Sequence, residues 1–164
     1  MVEVRPLRED DIERLLDLIE VVAAERRWIA TQPPVDREKR GEWLREGLGD
    51  ERVLALVAEA DGDLVGELGA RFAPYGVVDF GMLVAPAWRG RGVGGALLAG
   101  CVDWARRVGA HKVGLQVFPH NEAAIALYRK HGFVEEGRLR RHYRRLDGAI
   151  YDAIIMGLPL DGQD

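Results

Sequence analysis

The run Val84-Ala85-Pro86-Ala87-Trp88-Arg89-Gly90-Arg91-Gly92-Val93-Gly94-Gly95 constrains this 164-residue chain more than any other stretch. It follows a β-rich segment, Val77 to Val84. It opens an amphipathic one, Gly92 to Val108, with apolar residues at 93, 97, 101, 104 and 108, spacings of four, four, three and four. A strand therefore leads through four glycines into a helix. Glycines let successive N–H groups turn to one side with no Cβ in the way. The first helical turn adds unpaired donors and the positive end of the dipole. Such a turn favours a diphosphate, and Arg89 and Arg91 add positive charge.

Three kinds of ligand, and a purely structural turn, compete for this loop. Gly90, Gly92 and Gly95 fit the G-x-G-x-x-G of a dinucleotide site, which expects an acidic residue about 20 positions later. Gly109 to Gln116 offers none. A nucleoside-triphosphate loop requires Lys and Ser/Thr after its last glycine, whereas Ala96 and Leu97 follow Gly95. The third ligand is the pyrophosphate of coenzyme A.

Elements on either side of the loop follow from periodicity and turn chemistry. Val2 to Pro6 reads as a first strand. Asp10 or Asp11 caps a helix with Ile12, Leu15, Leu16, Ile19 and Val22 at helical spacing. Arg26 to Val35, with Trp28 and Pro33-Pro34, reads as a loop, and a second helix runs from about Asp36 to Leu48, ending at Gly49. Val53 to Ala58 and Leu64 to Phe72 are strands about an Asp61-Gly62 turn, and Pro74-Tyr75-Gly76 turns the chain into Val77 to Val84. After the helix come a strand Lys112 to Phe118, a short helix Asn121 to His131, and a strand from Phe133 to about Leu146. Asp147-Gly148 then turns the chain into a last strand through Leu158. The order β-α-α-β-β-β-α-β-α-β-β is a mixed α/β pattern without linker or repeat, expected to form a single domain over 1–164.

Apolar residues make up 48% and charged residues 30%, an ordinary globular balance. No apolar run approaches the roughly 18–20 residues of a membrane span. Met1 to Pro6 reads as a strand rather than a targeting segment. A cytoplasmic location with no membrane partner is the expectation. The net charge of -4 argues against nucleic acid. One cysteine, Cys101, forms no internal disulfide and reads as a core residue, and no His/Cys/carboxylate spacing suggests a metal. Arg138, Arg140, Arg141, Arg144 and Arg145 read as a solvated strand face. The oligomeric state stays open, a homodimer included.

Arg89-x-x-Gly92-x-Gly94 resembles the acetyl-CoA signature of the GCN5-related N-acetyltransferases, the GNAT superfamily. A second signature follows: Asn121, Ala124, Leu127-Tyr128 and Gly132-Phe133 match that family's N-x-x-A-x-x-L-Y-x-x-x-G-F. The likeness covers about Val2 to Leu160. It implies a mixed, mostly antiparallel sheet of about seven strands flanked by about four helices, splayed between the strands ending near Val84 and Phe118. It also implies acetyl-CoA as cofactor and CoA as product. The pantetheine would pair with Met82, Leu83 and Val84 and bond Asn121. The pyrophosphate would meet the amides of Gly90, Arg91, Gly92, Val93, Gly94 and Gly95 beside Arg89, and Tyr128 would lie against the cofactor.

The implied reaction is acetyl transfer to a primary amine of a small molecule, an amino acid or a protein N-terminus, by direct attack in a ternary complex. A free alkylamine is mostly protonated at neutral pH, so a base or a water relay must take a proton. Asp79 stands where many relatives carry a glutamate, and its shorter side chain favours a water relay; Glu67, on the neighbouring strand, is the second candidate. A main-chain N–H at or near Val84 would polarise the carbonyl. Tyr128 matches the family's general acid, and an ordinary phenol pKa of about 10 suits proton donation to a thiolate. Ala24 to Val35, Val65 to Phe72 and the last hairpin are expected to build the acceptor pocket, and the arginine-rich strand to disfavour a polycation. An acyl-CoA sensor without catalysis, and a dinucleotide-binding module, are the alternatives.

Overall fold

A computed structural model describes residues 1–160; the last four positions of the expected domain, 161–164, lie outside the described residues. The elements are β1 (Glu3–Pro6), α1 (Ile12–Ala24), α2 (Arg37–Leu48), β2 (Val53–Ala60), β3 (Asp63–Phe72) and β4 (Val77–Val84). They continue with α3 (Val93–Arg107), β5 (Lys112–Val117), α4 (Glu122–Lys130), β6 (Val134–Arg144) and β7 (Ile150–Pro159). The strands form one seven-stranded sheet in the order β1-β2-β3-β4-β5-β7-β6. Every pairing is antiparallel except β4 with β5. The mixed, mostly antiparallel sheet with four α-helices is as expected.

Apolar clusters cover the two faces. On one, Val93, Leu97, Leu98 and Cys101 of α3 and Ile125 and Tyr128 of α4 pack on Leu56, Leu68, Phe80 and Leu115. Burial pushes the Cys101 thiol up to about 12, so it behaves as a small core residue. Close packing needs bare backbone: a Cβ on Gly66 would stand 2.9 Å from Val93 Cγ1, and one on Gly100 2.9 Å from Leu56 Cδ1. On the other face, Leu15, Leu16, Ile19 and Val22 of α1 and Leu44 of α2 pack with Val57, Leu64 and Leu83.

Neither Asp10 nor Asp11 caps α1 through its side chain. A 3-10 turn, Glu9–Asp11, precedes the helix, and Asp11 accepts instead from the Arg8 N–H (2.8 Å) and from both terminal nitrogens of Arg5 (2.7 and 2.9 Å). The Arg5 guanidinium holds the buried Asp11 carboxyl well below the usual carboxylate range.

The pairing of β4 with β5 decides where a site can form. It covers only Val77↔Lys112, Val78↔Val113 and Asp79↔Gly114. Beyond Asp79 the two strands diverge, and β4 stays paired with β3 as far as Val84. Ala85 N–H donates to Val65 O on the β3 side (2.8 Å). Polar groups alternate sides along a strand, so those of Met82 and Val84 face the open edge and those of Leu83 face β3.

Candidate active site

Three connected cavities surround this divergence. On the α3/α4 face a cleft of about 460 Å³ is lined by Met82, Leu83, Val84, the glycine loop, Asn121 and Tyr128. On the α1/α2 face a groove of about 690 Å³ lies over β3, β4, β5 and β7. A smaller cavity of about 180 Å³, between Met82 and Val117, shares Asn121 and Tyr128 with the cleft and Gly81, Gln116 and Tyr143 with the groove. A molecule held in the cleft can therefore meet one held in the groove.

The loop has the conformation that a diphosphate site requires. Gly90 and Gly92 sit at φ +74° and +84°. A Cβ at either would meet no atom within 4 Å, so the left-handed backbone, not crowding, calls for glycine. The first main-chain bond into α3 is Ala96 N–H to Gly92 O (3.1 Å). The N–H groups of Gly90 through Gly95 thus find no main-chain acceptor among the described residues. Donors left over at a helix N-terminus suit an anion, and this set fits the pyrophosphate of coenzyme A. Gly94 has another role: its Cβ would stand 3.0 Å from Leu127 Cδ2, so its absence lets α3 approach α4.

The two loop arginines are engaged within the protein. Arg89 pairs with both oxygens of Glu25 (2.8 and 2.6 Å) and donates from Nε to Val84 O (3.2 Å), which ties the loop to the end of α1. That guanidinium holds the Glu25 carboxyl below its ordinary range. Arg91 lies 4.8 Å over the Trp88 ring. Asn121 caps α4, its Oδ1 accepting from Ala124 N–H (3.3 Å), which leaves its amide nitrogen as a donor. Tyr128 is 6% exposed and packs edge-on to Phe80 (5.8 Å). Burial pushes its phenol up to about 12, so it holds its proton at neutral pH.

Glycines form the floor of the groove. Gly69 pairs directly with Gly81, so the sheet there is bare backbone, and Gly114 pairs with Asp79. Glu67 is 6% exposed and reaches over that floor, with Oε1 3.4 Å from where a Gly69 Cβ would stand. Burial pushes its carboxyl up to about 7, opposed by the charge of Arg40 and helped by no hydrogen bond. Asp79 lies over Gly114, its Oδ1 3.0 Å from the missing Cβ. Desolvation raises its carboxyl, with Lys112 opposing.

The structure brings together Glu67, Asp79 and Tyr128 with the loop and Asn121 around one divergence. Glu67 is buried rather than a solvated strand residue. Of the segments expected to line an acceptor pocket, Trp28, Ile29 and Ala30 border the connecting cavity, while Glu67, Arg71, Glu136 and Tyr143 line the groove, whose remaining wall is Trp43, Glu46 and Asp50 at the end of α2. Arg145 is not on a solvated face. It is 5% exposed and donates to the carbonyls of Ile29 (3.0 Å) and Ala30 (3.4 Å). The floor glycines carried a signal that sequence reasoning passed over, since glycine inside a strand often marks close approach by another molecule. No group of His, Cys, Asp and Glu among the described residues is arranged to hold a metal, and no helix there is long and apolar enough to cross a membrane.

Known proteins share both sequence and fold with this chain. The acetyltransferase (GNAT) family pattern matches residues 16–133. The L-amino acid N-acetyltransferase AaaT of Escherichia coli is 38% identical over 112 residues, 63% of this chain and 67% of that protein. A ribosomal-protein-alanine N-acetyltransferase from Brucella melitensis superposes with a TM-score of 0.88 at 30% identity, over 96% of this chain and 99% of that one. The YncA protein of Salmonella typhimurium, solved with its cofactor acetyl-CoA, shares the fold at 23% identity and a TM-score of 0.87, over 99% of this chain and 95% of that one. With both signatures on the expected elements and the strands parting between them, the chain belongs to the GNAT family of acetyltransferases.

Proposed function

We propose that the chain transfers an acetyl group from acetyl-CoA to a primary amine by direct attack, with the cofactor in the α3/α4 cleft and the amine in the groove on the opposite face. The supporting observation is the cavity that joins the two where β4 and β5 diverge. Acetyl-CoA supplies a thioester whose carbonyl an amine can attack and whose sulfur can leave. The amides of residues 90 to 95 hold the pyrophosphate, and the open edge of β4 at Met82 and Val84, with Asn121, orients the pantetheine.

Glu67 takes a proton from the incoming ammonium, and a carboxyl pushed up to about 7 suits that task at neutral pH. Asp79 holds the ammonium nearby over Gly114. Val84 N–H, on the unpaired edge, binds the carbonyl oxygen as its charge grows. A nitrogen–carbon bond forms as the carbon–sulfur bond breaks, and Tyr128 gives its proton to the sulfur. The second proton leaving the nitrogen returns to Tyr128, and the one on Glu67 passes to solvent.

Thiol release from acetyl-CoA, followed with and without an amine panel, tests the reading. Release that depends on an amine, with a matching N-acetyl product by mass, is the expected result. Tight CoA binding without turnover on any amine would leave an acyl-CoA sensor.

A further inference from the structure

Glu67 stands under α2, and one side chain of that helix bears on it. Glu67 pairs with Val57 of β2 on one side and with Leu83 of β4 on the other. Residues directly opposite in a sheet share a face, so the carboxylate rises between those two side chains. Val57 and Leu83 pack with Leu44 of α2 in the apolar cluster on that face. Arg40 lies one helical turn before Leu44, on the same stripe of α2. Gly47 belongs to that stripe too, and a Cβ on it would stand 3.2 Å from Val53 Cγ1 of β2. The stripe therefore faces β2 and β3, and Arg40 leaves it on the side of Glu67. Arg40 itself does not border the groove.

Neither group has a hydrogen-bonding partner. Glu67 is 6% exposed and makes no hydrogen bond. Arg40 Nε is buried and likewise unpartnered, and the guanidinium lies 5.3 Å over the Trp43 ring. A ring face holds a cation without neutralising it. The charge of Arg40 thus reaches Glu67 through space, where it opposes the effect of burial.

The other charged groups on this face are engaged elsewhere. Arg71 of β3 faces Asp79 of β4 across the strand pair. Lys112 of β5 is paired with Glu136 of β6 at 2.6 Å, and Tyr143 OH donates to Gln116 Oε1. Glu59 of β2 is paired with Arg5 at 2.7 Å. On α1, Glu13, Asp17 and Glu20 all turn to Arg37. Glu46 and Asp50 border the groove at the far end of α2 from Arg40. Arg40 is the charge that acts on Glu67.

The arrangement lies between two arrangements that would not work. A guanidinium bonded directly to the carboxylate would make it too weak a base to take a proton from an ammonium. With no cation facing it, burial alone would keep the carboxyl protonated through neutral pH. We infer, resting on the acetyl-transfer reading above, that Arg40 is a positioning residue for the reaction. Its cation, stacked on Trp43, faces Glu67 without bonding to it and sets the pH range in which Glu67 takes the acceptor's proton.

The test uses the full chain and two readouts. The first is kcat/KM against pH, with the amine of the panel that is turned over fastest. In Arg40→Met the rising limb is expected to move up by about one pH unit. That makes kcat/KM about tenfold lower at pH 6 and leaves it within about twofold of wild type at pH 9. Arg40→Lys keeps the charge and should return the limb most of the way. In a Glu67→Gln background, adding Arg40→Met should change kcat/KM by less than about twofold at any pH. The second readout is the melting temperature, which needs no acceptor. A carboxyl raised in the fold loses its contribution as pH climbs through the folded midpoint. Arg40→Met should therefore fall further below wild type at pH 9 than at pH 4; Arg40→Gln serves the same comparisons if Arg40→Met does not fold. An equal loss of turnover at every pH, or a melting difference independent of pH, overturns the inference and leaves Glu67 as the base. A rising limb that survives in Glu67→Gln overturns the base itself, and the inference with it. No turnover on any amine, with the pH-dependent melting difference present, preserves the hold of Arg40 on Glu67 and overturns the chemistry.

Discussion

Tyr128 and Glu67 are moved by the same physical cause to opposite chemical ends. Burial disfavours charge, which keeps the phenol protonated to about pH 12 and moves the carboxyl up to about 7. On the proposed mechanism the phenol is a proton donor at neutral pH and the carboxyl a proton acceptor near its midpoint. Replacing Tyr128 by Phe removes the proton but not the ring that packs on Phe80. Turnover is therefore expected to fall by about 10²-fold, the usual worth of a positioned acid, while CoA affinity by calorimetry stays within about twofold. A variant with wild-type turnover would remove Tyr128 from the acid role. Glu67 accepts a proton only when ionised, so kcat/KM is expected to rise with pH through about 7 and then level. In Glu67→Gln that rise disappears and turnover drops. Stability should move the other way. A carboxyl raised in the fold binds its proton more tightly folded than unfolded, so its contribution is lost as pH climbs from about 4.5 to 7. Glu67→Gln is thus expected to melt higher than wild type at pH 8 and no higher at pH 4. A melting difference independent of pH would mean that the carboxyl is not buried as described.

At the scale of the element, the turn between β4 and α3 shows how much local sequence can specify. Strand, glycine run and amphipathic helix are short-range features, and the chain order read from them is the order found. Which glycine does what is not local. Gly92 is needed for its backbone at φ +84°, with no neighbour near its missing Cβ, whereas Gly94 is needed because Leu127 of α4 lies against it. Gly92→Val is expected to weaken CoA binding at least tenfold, because a β-branched residue turns those amides away from a left-handed conformation. It should also lower the melting temperature by a few degrees. Calorimetry showing normal CoA affinity would detach the loop from the cofactor. The acidic start of α1 was misread for a related reason. Asp11 looked like a cap by position, but Arg5 and Glu59 stand on neighbouring strands, and Arg5 draws the carboxylate into a buried pair. The groove was the least legible part. Its wall is α2, whose placement against β2 and α1 follows from packing between residues far apart in sequence.

For the molecule as a whole, the proposed reaction is shared between the two faces of the sheet through the parted strands, and that reading requires the opening to be kept dry. The loop between α1 and α2 closes it, with Trp28, Ile29 and Ala30 on the connecting cavity. Contacts from distant parts of the chain hold that loop. Arg145 donates to Ile29 O and Ala30 O while its guanidinium lies over the rings of Phe118 (5.1 Å) and Tyr151 (5.3 Å). Leu146 N–H donates to Gln32 Oε1 (2.8 Å), and the His120 ring bonds Arg27 O (2.7 Å). No carboxylate pairs with Arg145 among the described residues, so its binding energy goes into the loop carbonyls and the flanking rings. Arg145→Met leaves those carbonyls without their donor, a loss of about 1–3 kcal/mol. Amide exchange at residues 27–32 should quicken by tenfold or more while the strands keep their protection. Water then reaches the thioester, so thiol release without amine should rise relative to transfer. Arg145→Lys keeps the charge but not the planar fork and should fall between the two. If exchange at 27–32 and the ratio of hydrolysis to transfer both stayed at wild-type values in Arg145→Met, the loop would be held by its own packing and Arg145 would have no part in sealing the reaction from water.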